Sequence, residues 1–76
     1  MYTDEMRRAF HSVTAPKGFS VDLIDNEFFI TVRVDELTMF NLSHDEKMEA
    51  FEYIIKVKKA LEGSGAVVEV VRKALK

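Results

Sequence analysis

Read for polarity alone, the chain changes period several times. Between Thr3 and Thr14, Met6, Phe10 and Val13 recur at helical spacing with Ala9 beside them. Thr3 stands where an N-cap belongs, and Asp4 and Glu5 fall in the first turn, where the helix dipole favours negative charge. The spacing predicts a helix over about residues 4–14, ended by Pro16 and Gly18. From residue 19 the period becomes two. Phe19, Val21 and Leu23 alternate with Ser20 and Asp22, and Phe28, Ile30, Val32 and Val34 alternate with Phe29, Thr31 and Arg33. A two-residue turn at Asp25-Asn26 is expected, because both residue types tolerate left-handed backbone angles. That turn sets Leu23 against Phe28, Val21 against Ile30 and Phe19 against Val32, all on one face. Phe29 then points away from the core, opposite Asp22.

Residues 35–42, Asp-Glu-Leu-Thr-Met-Phe-Asn-Leu, follow neither period. They either prolong the second strand or form a short turn of helix. Leu37, Met39, Phe40 and Leu42 either plug one end of the core or form an exposed partner-binding patch. Ser43 followed by Glu46 is a capping box and Gly63 a natural stop, which predicts a long helix over about residues 44–62. Its inward face is expected to carry Met48, Phe51, Ile54, Ile55 and Leu61, with Ala50 and Val57 at the margin. Asp45, Glu49, Glu52, Lys56 and Lys59 lie opposite, with Glu52 and Lys56 spaced to pair across one turn. Lys58 falls near the middle of the apolar face, where it either snorkels to water or is a desolvated amine with a functional partner.

The tail offers two readings. Its valines favour a strand over residues 66–71, while Val67, Val70, Val71, Ala74 and Leu75 also fit a helical stripe. The strand is preferred, because the Gly63-Ser64-Gly65 link is short and the long helix supplies a crossover to a neighbour of the hairpin. The run from Lys58 to Val70 resembles the closing helix–turn–strand of the ribosomal stalk protein's C-terminal domain. The resemblance implies only that local geometry, and no function is carried over. The expected fold is α+β in the order helix–β-hairpin–long helix–strand (αββαβ). It forms a single domain over residues 1–76, a small antiparallel or mixed three-stranded sheet packed on the long helix.

Composition narrows the function. The chain has 76 residues and no cysteine, which removes disulfides, thiolate catalysis and cysteine-ligated zinc. A core of this size supplies only about 3–5 kcal/mol net, so a homodimer that adds buried area is open. No unbroken apolar run exceeds three residues, too short to cross a bilayer. The N-terminus lacks a basic-then-apolar signal pattern, so the cytoplasm is the expected compartment and no membrane partner is expected.

The net charge of −2 is unevenly placed: residues 35–52 hold six acids and one base, residues 53–76 six bases and two acids. Lys56, Lys59, Arg72, Lys73 and Lys76 therefore form the candidate set for an alternative function, binding nucleic acid through phosphate contacts. Against that, the outer hairpin face offers Phe29 alone for stacking, beside Asp22 and Glu27.

Catalytic constellations are sparse. His11 and His44 are the only histidines and are far apart in sequence. An enzyme would require one of them to meet a carboxylate in a cleft. No glycine-rich phosphate loop occurs, and the acidic run lacks the central glycine of a calcium loop. No catalytic residue, cofactor or metal is expected. The expected function is that of a non-enzymatic protein–protein interaction module: an adaptor, inhibitor or modulator docking to another protein or to itself. Phe29, Leu37, Met39 and Phe40 carry the binding. Compact acidic domains of this size are frequent among phage and mobile-element products, and such an origin is an expectation from size alone.

Overall fold

Thr3 caps the first helix as its position demands: its hydroxyl accepts from the Met6 amide at 3.1 Å. In the computed structural model, which describes residues 2–73, this helix is α1 (Asp4–His11). It is followed by β1 (Asp22–Asp25), β2 (Ile30–Asp35), α2 (Glu36–Phe40), α3 (His44–Gly63) and β3 (Val68–Lys73). The strands form one sheet in the order β1-β2-β3, with β1 antiparallel and β3 parallel to β2. The architecture is the expected α+β order with a mixed sheet, and α2 is inserted between β2 and α3. Ala74 and Leu75, part of the alternative helical stripe, lie outside the described residues. α1 ends at His11 rather than Thr14, because the Ser12 hydroxyl donates to the Ala9 carbonyl at 2.7 Å and competes with a further helical turn. Val13 still packs against the core.

The hairpin forms with a different tip. Leu23 lies opposite Val32 and Asp25 opposite Ile30, not Leu23 opposite Phe28. The Asn26 amide donates to the Phe29 carbonyl at 2.9 Å, so the turn residues are Glu27 and Phe28 instead of Asp25 and Asn26. Moving the tip by two residues preserves parity, so each strand residue keeps its face. The observed register sets Asp22 beside Arg33, joined at 2.8 Å, and lets Asn26 donate its side-chain amide to Thr31 Oγ1 at 2.9 Å. Its consequence is that Phe28, expected in the core, is 77% exposed at the tip.

α3 has its capping box: Glu46 N–H donates to Ser43 Oγ at 3.2 Å, and Ser43 N–H donates to Glu46 Oε1 at 2.8 Å. Its buried side is Ala50, Tyr53, Ile54, Val57 and Leu61. Met48, Phe51 and Ile55, expected inward, face out. Ala50 and Val57, expected at the margin, have no exposed surface, and α3 packs against both α1 and β3. Tyr53 adds an edge-on contact with Phe19, ring centroids 6.2 Å apart.

The helix stop also differs from expectation. Gly63 is the last helical residue, and the stop is at Gly65, with φ +96°. Ala66 N–H donates to Leu61 O and Gly65 N–H to Glu62 O, the paired bonds of a Schellman turn. After it, β3 runs parallel to β2, with Ile30 opposite Val68 and Asp35 opposite Lys73. Ile30, Val32 and Val34 share one buried cluster with Val57 and Leu61 of α3, Met6 of α1 and Met39 of α2.

Two predictions follow from these positions. No heavy atom lies within 4 Å of an added Cβ at either Gly63 or Gly65, so backbone angle alone separates them. Gly65→Ala is expected to lower stability by about 1–2 kcal/mol. Gly63→Ala should be neutral or stabilising by up to about 1 kcal/mol. Met39→Ala is expected to cost about 2–5 kcal/mol, comparable to the whole stability of a domain this small. Denaturant titration of the three variants measures these differences.

Candidate functional site

The exposed apolar surface is organised by two helix caps. Asp35 ends β2 and caps α2: its carboxylate accepts from Leu37 N–H at 3.0 Å and from the Thr38 hydroxyl at 2.9 Å. The single turn this fixes sends Met39 into the core, 3% exposed, and leaves Leu37 at 46% and Phe40 at 78%. Residues 35–42 thus both plug the core and form a patch. Met39 belongs to the plug, which removes it from the expected binding set.

The α3 flank lies beside that patch. Leu37, Phe40, Phe51 and Arg72 line one cleft of about 340 Å³. Met48 and Ile55, each about half exposed, sit three residues before and four after Phe51 and extend its stripe along α3. Arg72 ties β3 into this surface. Its Nε donates to Glu36 Oε1 at 2.7 Å, and its guanidinium carbon stands 5.6 Å from the centre of the Phe51 ring. Such a cation–π contact holds a phenyl ring in place without burying it. Lys58 is partly exposed and bonds Glu62 at 2.7 Å; it snorkels, as the simpler of its two readings has it.

Phe29 is not part of this surface. It lines a separate cleft with Met6, Phe28, Ala66 and Val67 at the Ile30 end of β2, whereas α2 follows the Asp35 end. Six strand residues separate the two ends, about 20 Å. The expected set Phe29, Leu37, Met39 and Phe40 therefore resolves into a distal aromatic, two patch residues and a core residue. Met48, Phe51 and Ile55 belong to the surface and were missed by the sequence reading. The available signal was the second helical series at 50, 53, 54, 57 and 61, which leaves 48, 51 and 55 on another side.

The cations are divided. Lys56 lines a cleft with Lys17, Glu49, Glu52 and Tyr53, while Arg72 lines the α2–α3 cleft and is bound to Glu36. Lys59 is exposed on α3, and Lys73 ends β3 opposite Asp35. Lys76 lies outside the described residues. Among the described members of the set, acids are interleaved on both sides of α3.

His11 does share a cleft with carboxylates. About 260 Å³ in volume, it is lined by Tyr2, Arg7, His11, Asp22 and Asp25 among others. These groups have structural bonds: Asp22 holds Arg33, Asp25 accepts from the Tyr2 amide at 3.0 Å, and Arg7 reaches Asp4 at 3.3 Å. His11 rests edge-on against Phe10, centroids 5.2 Å apart. Burial pushes the Tyr2 phenol above its ordinary pKa, partly offset by the Arg7 guanidinium, so it stays neutral at physiological pH. His44 is exposed at the start of α3. Among the described residues, no three His, Asp or Glu side chains are grouped to hold a metal ion, and no helix is long and apolar enough to cross a membrane.

Comparison with protein-family models, curated proteins and solved structures finds no match to this chain.

Proposed function

We propose that the protein is a small non-enzymatic docking module that works by binding another protein chain through the surface shared by α2 and α3. One observation carries this reading: Leu37, Phe40, Met48, Phe51 and Ile55 are all exposed large apolar side chains, and they are neighbours along one helix flank and one adjoining turn. Keeping such a surface in water forgoes burial worth about 1.5–3 kcal/mol for each large side chain. In a chain whose whole stability is of that order, a covering partner recovers it. Phe40 and Phe51 supply aromatic anchors, and Arg72 with Glu36 supplies a polar rim, the usual division of labour at an interface.

The surface itself offers no reactive group. Of its titratable members, Glu36 and Arg72 neutralise each other and Lys47 stands at the same cleft, a set that suits recognition better than proton transfer. Nucleic-acid binding has weaker support, since the cations are split between two sides of α3 and mixed with acids.

The test uses the chain as bait in an extract of its source cells. Phe40→Asp combined with Leu37→Asp is expected to abolish retention of the partner while leaving the unfolding free energy within about 0.5 kcal/mol of the parent, as exposed substitutions do. Equal retention by parent and double variant would refute the assignment. A gel-shift titration at low and high salt checks the alternative: no shift is expected, and tight salt-sensitive binding would replace docking with nucleic-acid recognition.

A further inference from the structure

We infer that a second copy of this chain is one occupant of that surface: the open edge of β3 pairs antiparallel with β3 of the other copy across a two-fold axis at Val71, and the two α3 flanks close on each other. The inference rests on the docking reading and names its partner.

Backbone geometry selects the arrangement. Among the described residues β3 is paired with β2 on one side only, at the end of the strand order. The Ile30 amide donates to the Val67 carbonyl at 2.8 Å, with Ile30 opposite Val68. In a parallel ladder this turns the backbone groups of Val67, Glu69, Val71 and Lys73 toward β2 and leaves those of Val68, Val70 and Arg72 on the open edge. An antiparallel neighbour must meet that alternate set. A two-fold at Val71 does so, placing Val70 opposite the second copy's Arg72 as a hydrogen-bonded pair.

Side chains on the outer sheet face choose between this register and its neighbours. With the axis at Val71, Val71 meets its own copy and Glu69 meets Lys73, once on each side of the axis. These are non-hydrogen-bonded positions, where the side chains approach most closely. Moving the axis to Val70 sets Glu69 against Val71 and leaves Lys73 opposite Val67. Lysine on an edge strand ordinarily discourages pairing. Lys73 already lies opposite Asp35 of its own chain, and an acid four residues earlier on the same face gives it a second partner in this register and in neither adjacent one.

The helices agree with the strands. Arg72 reaches Phe51, so the Phe51 flank of α3 lies above the β3 edge, near the level of the axis. A two-fold there makes the two α3 helices antiparallel neighbours. Phe51 then approaches its own copy, and Met48, three residues to one side, meets Ile55, four residues to the other. A patch that complements itself in this way is what an isologous dimer requires. The six strands would form one continuous sheet.

The chain's lack of cysteine makes the test direct. Cα atoms of a non-hydrogen-bonded antiparallel pair lie about 4.5 Å apart, within reach of a disulfide. Under mild oxidation Val71→Cys is expected to give a covalent dimer rapidly, whereas Val70→Cys, offset from its own copy by two residues, and exposed Ser20→Cys are not. Sedimentation of the parent should show a species of twice 8.7 kDa. Glu69→Lys is expected to weaken the dimer about tenfold by replacing both cross-strand pairs with repulsions, and adding Lys73→Glu should restore it. That rescue excludes simple misfolding. A dimer indifferent to Val71 and Glu69, or cross-linking through Val70 instead, overturns the β3 assignment. A chain that stays monomeric at the highest attainable concentration, yet still retains a foreign protein through Leu37 and Phe40, overturns self-association and leaves the docking reading standing.

Discussion

Val32 and Val34 have no exposed surface, and the molecule is arranged around keeping them dry. They sit on β2, which among the described residues is the one strand with neighbours on both sides. Burying each contributes about 1.5–3 kcal/mol, a large share of what a domain of this size can muster. β1 must pair with β2 to satisfy one row of its backbone groups, and β3 must pair with it to satisfy the other. A parallel partner needs a long crossover, and α3 is that crossover. It is also the lid over the valines, through Val57 and Leu61. Hairpin, helix and final strand are therefore three answers to the requirements of one central strand.

The same arrangement explains why so much apolar surface is left outside. α3 carries more large hydrophobics than one three-stranded sheet can cover. The side with Ala50 and Val57 is the buried one, so Met48, Phe51 and Ile55 remain on the flank. α2, only one turn long, can turn inward only some of its apolar side chains, and Met39 takes the inward place while Leu37 and Phe40 stay in water. This part of the surplus gathers at the Asp35 end of the sheet, where Arg72 braces Phe51 and binds Glu36, while Phe28 and Val67 stay exposed at the Ile30 end. Docking is the reading this surplus supports, and the open edge of β3 beside it extends the reading to a second copy.

Charge follows the same logic on a smaller scale. The sequence shows an acidic middle and a basic end, which suggests separate electrostatic poles. Folding brings the two segments together: β3 returns beside β2 and α2, so Arg72 meets Glu36, and Lys73 comes to lie opposite Asp35. The cleft near His11 is handled likewise, with its carboxylates taken up by Arg33 and the Tyr2 backbone. Charged groups are used here mostly to fix register and capping.

Local chemistry was enough to specify several elements. Thr3, the Ser43–Glu46 box, the alternation through Val34 and the β-branched run after Ala66 act within a few residues, so helix starts, strand identity and the α+β order could be read directly. Tertiary structure decided what depends on distant partners. The hairpin tip lies at Glu27-Phe28, where Asp22 pairs with Arg33, a choice that alternation cannot see since either tip keeps every strand side chain on its face. The inward side of α3 was set by its packing against α1 and β3, and a helical wheel with two apolar series does not say which side that is. For the same reason Met39 and Phe40, adjacent and both apolar, parted to opposite fates: the direction of a one-turn helix was fixed by the strand it leaves, and only that direction determined which became core and which became surface.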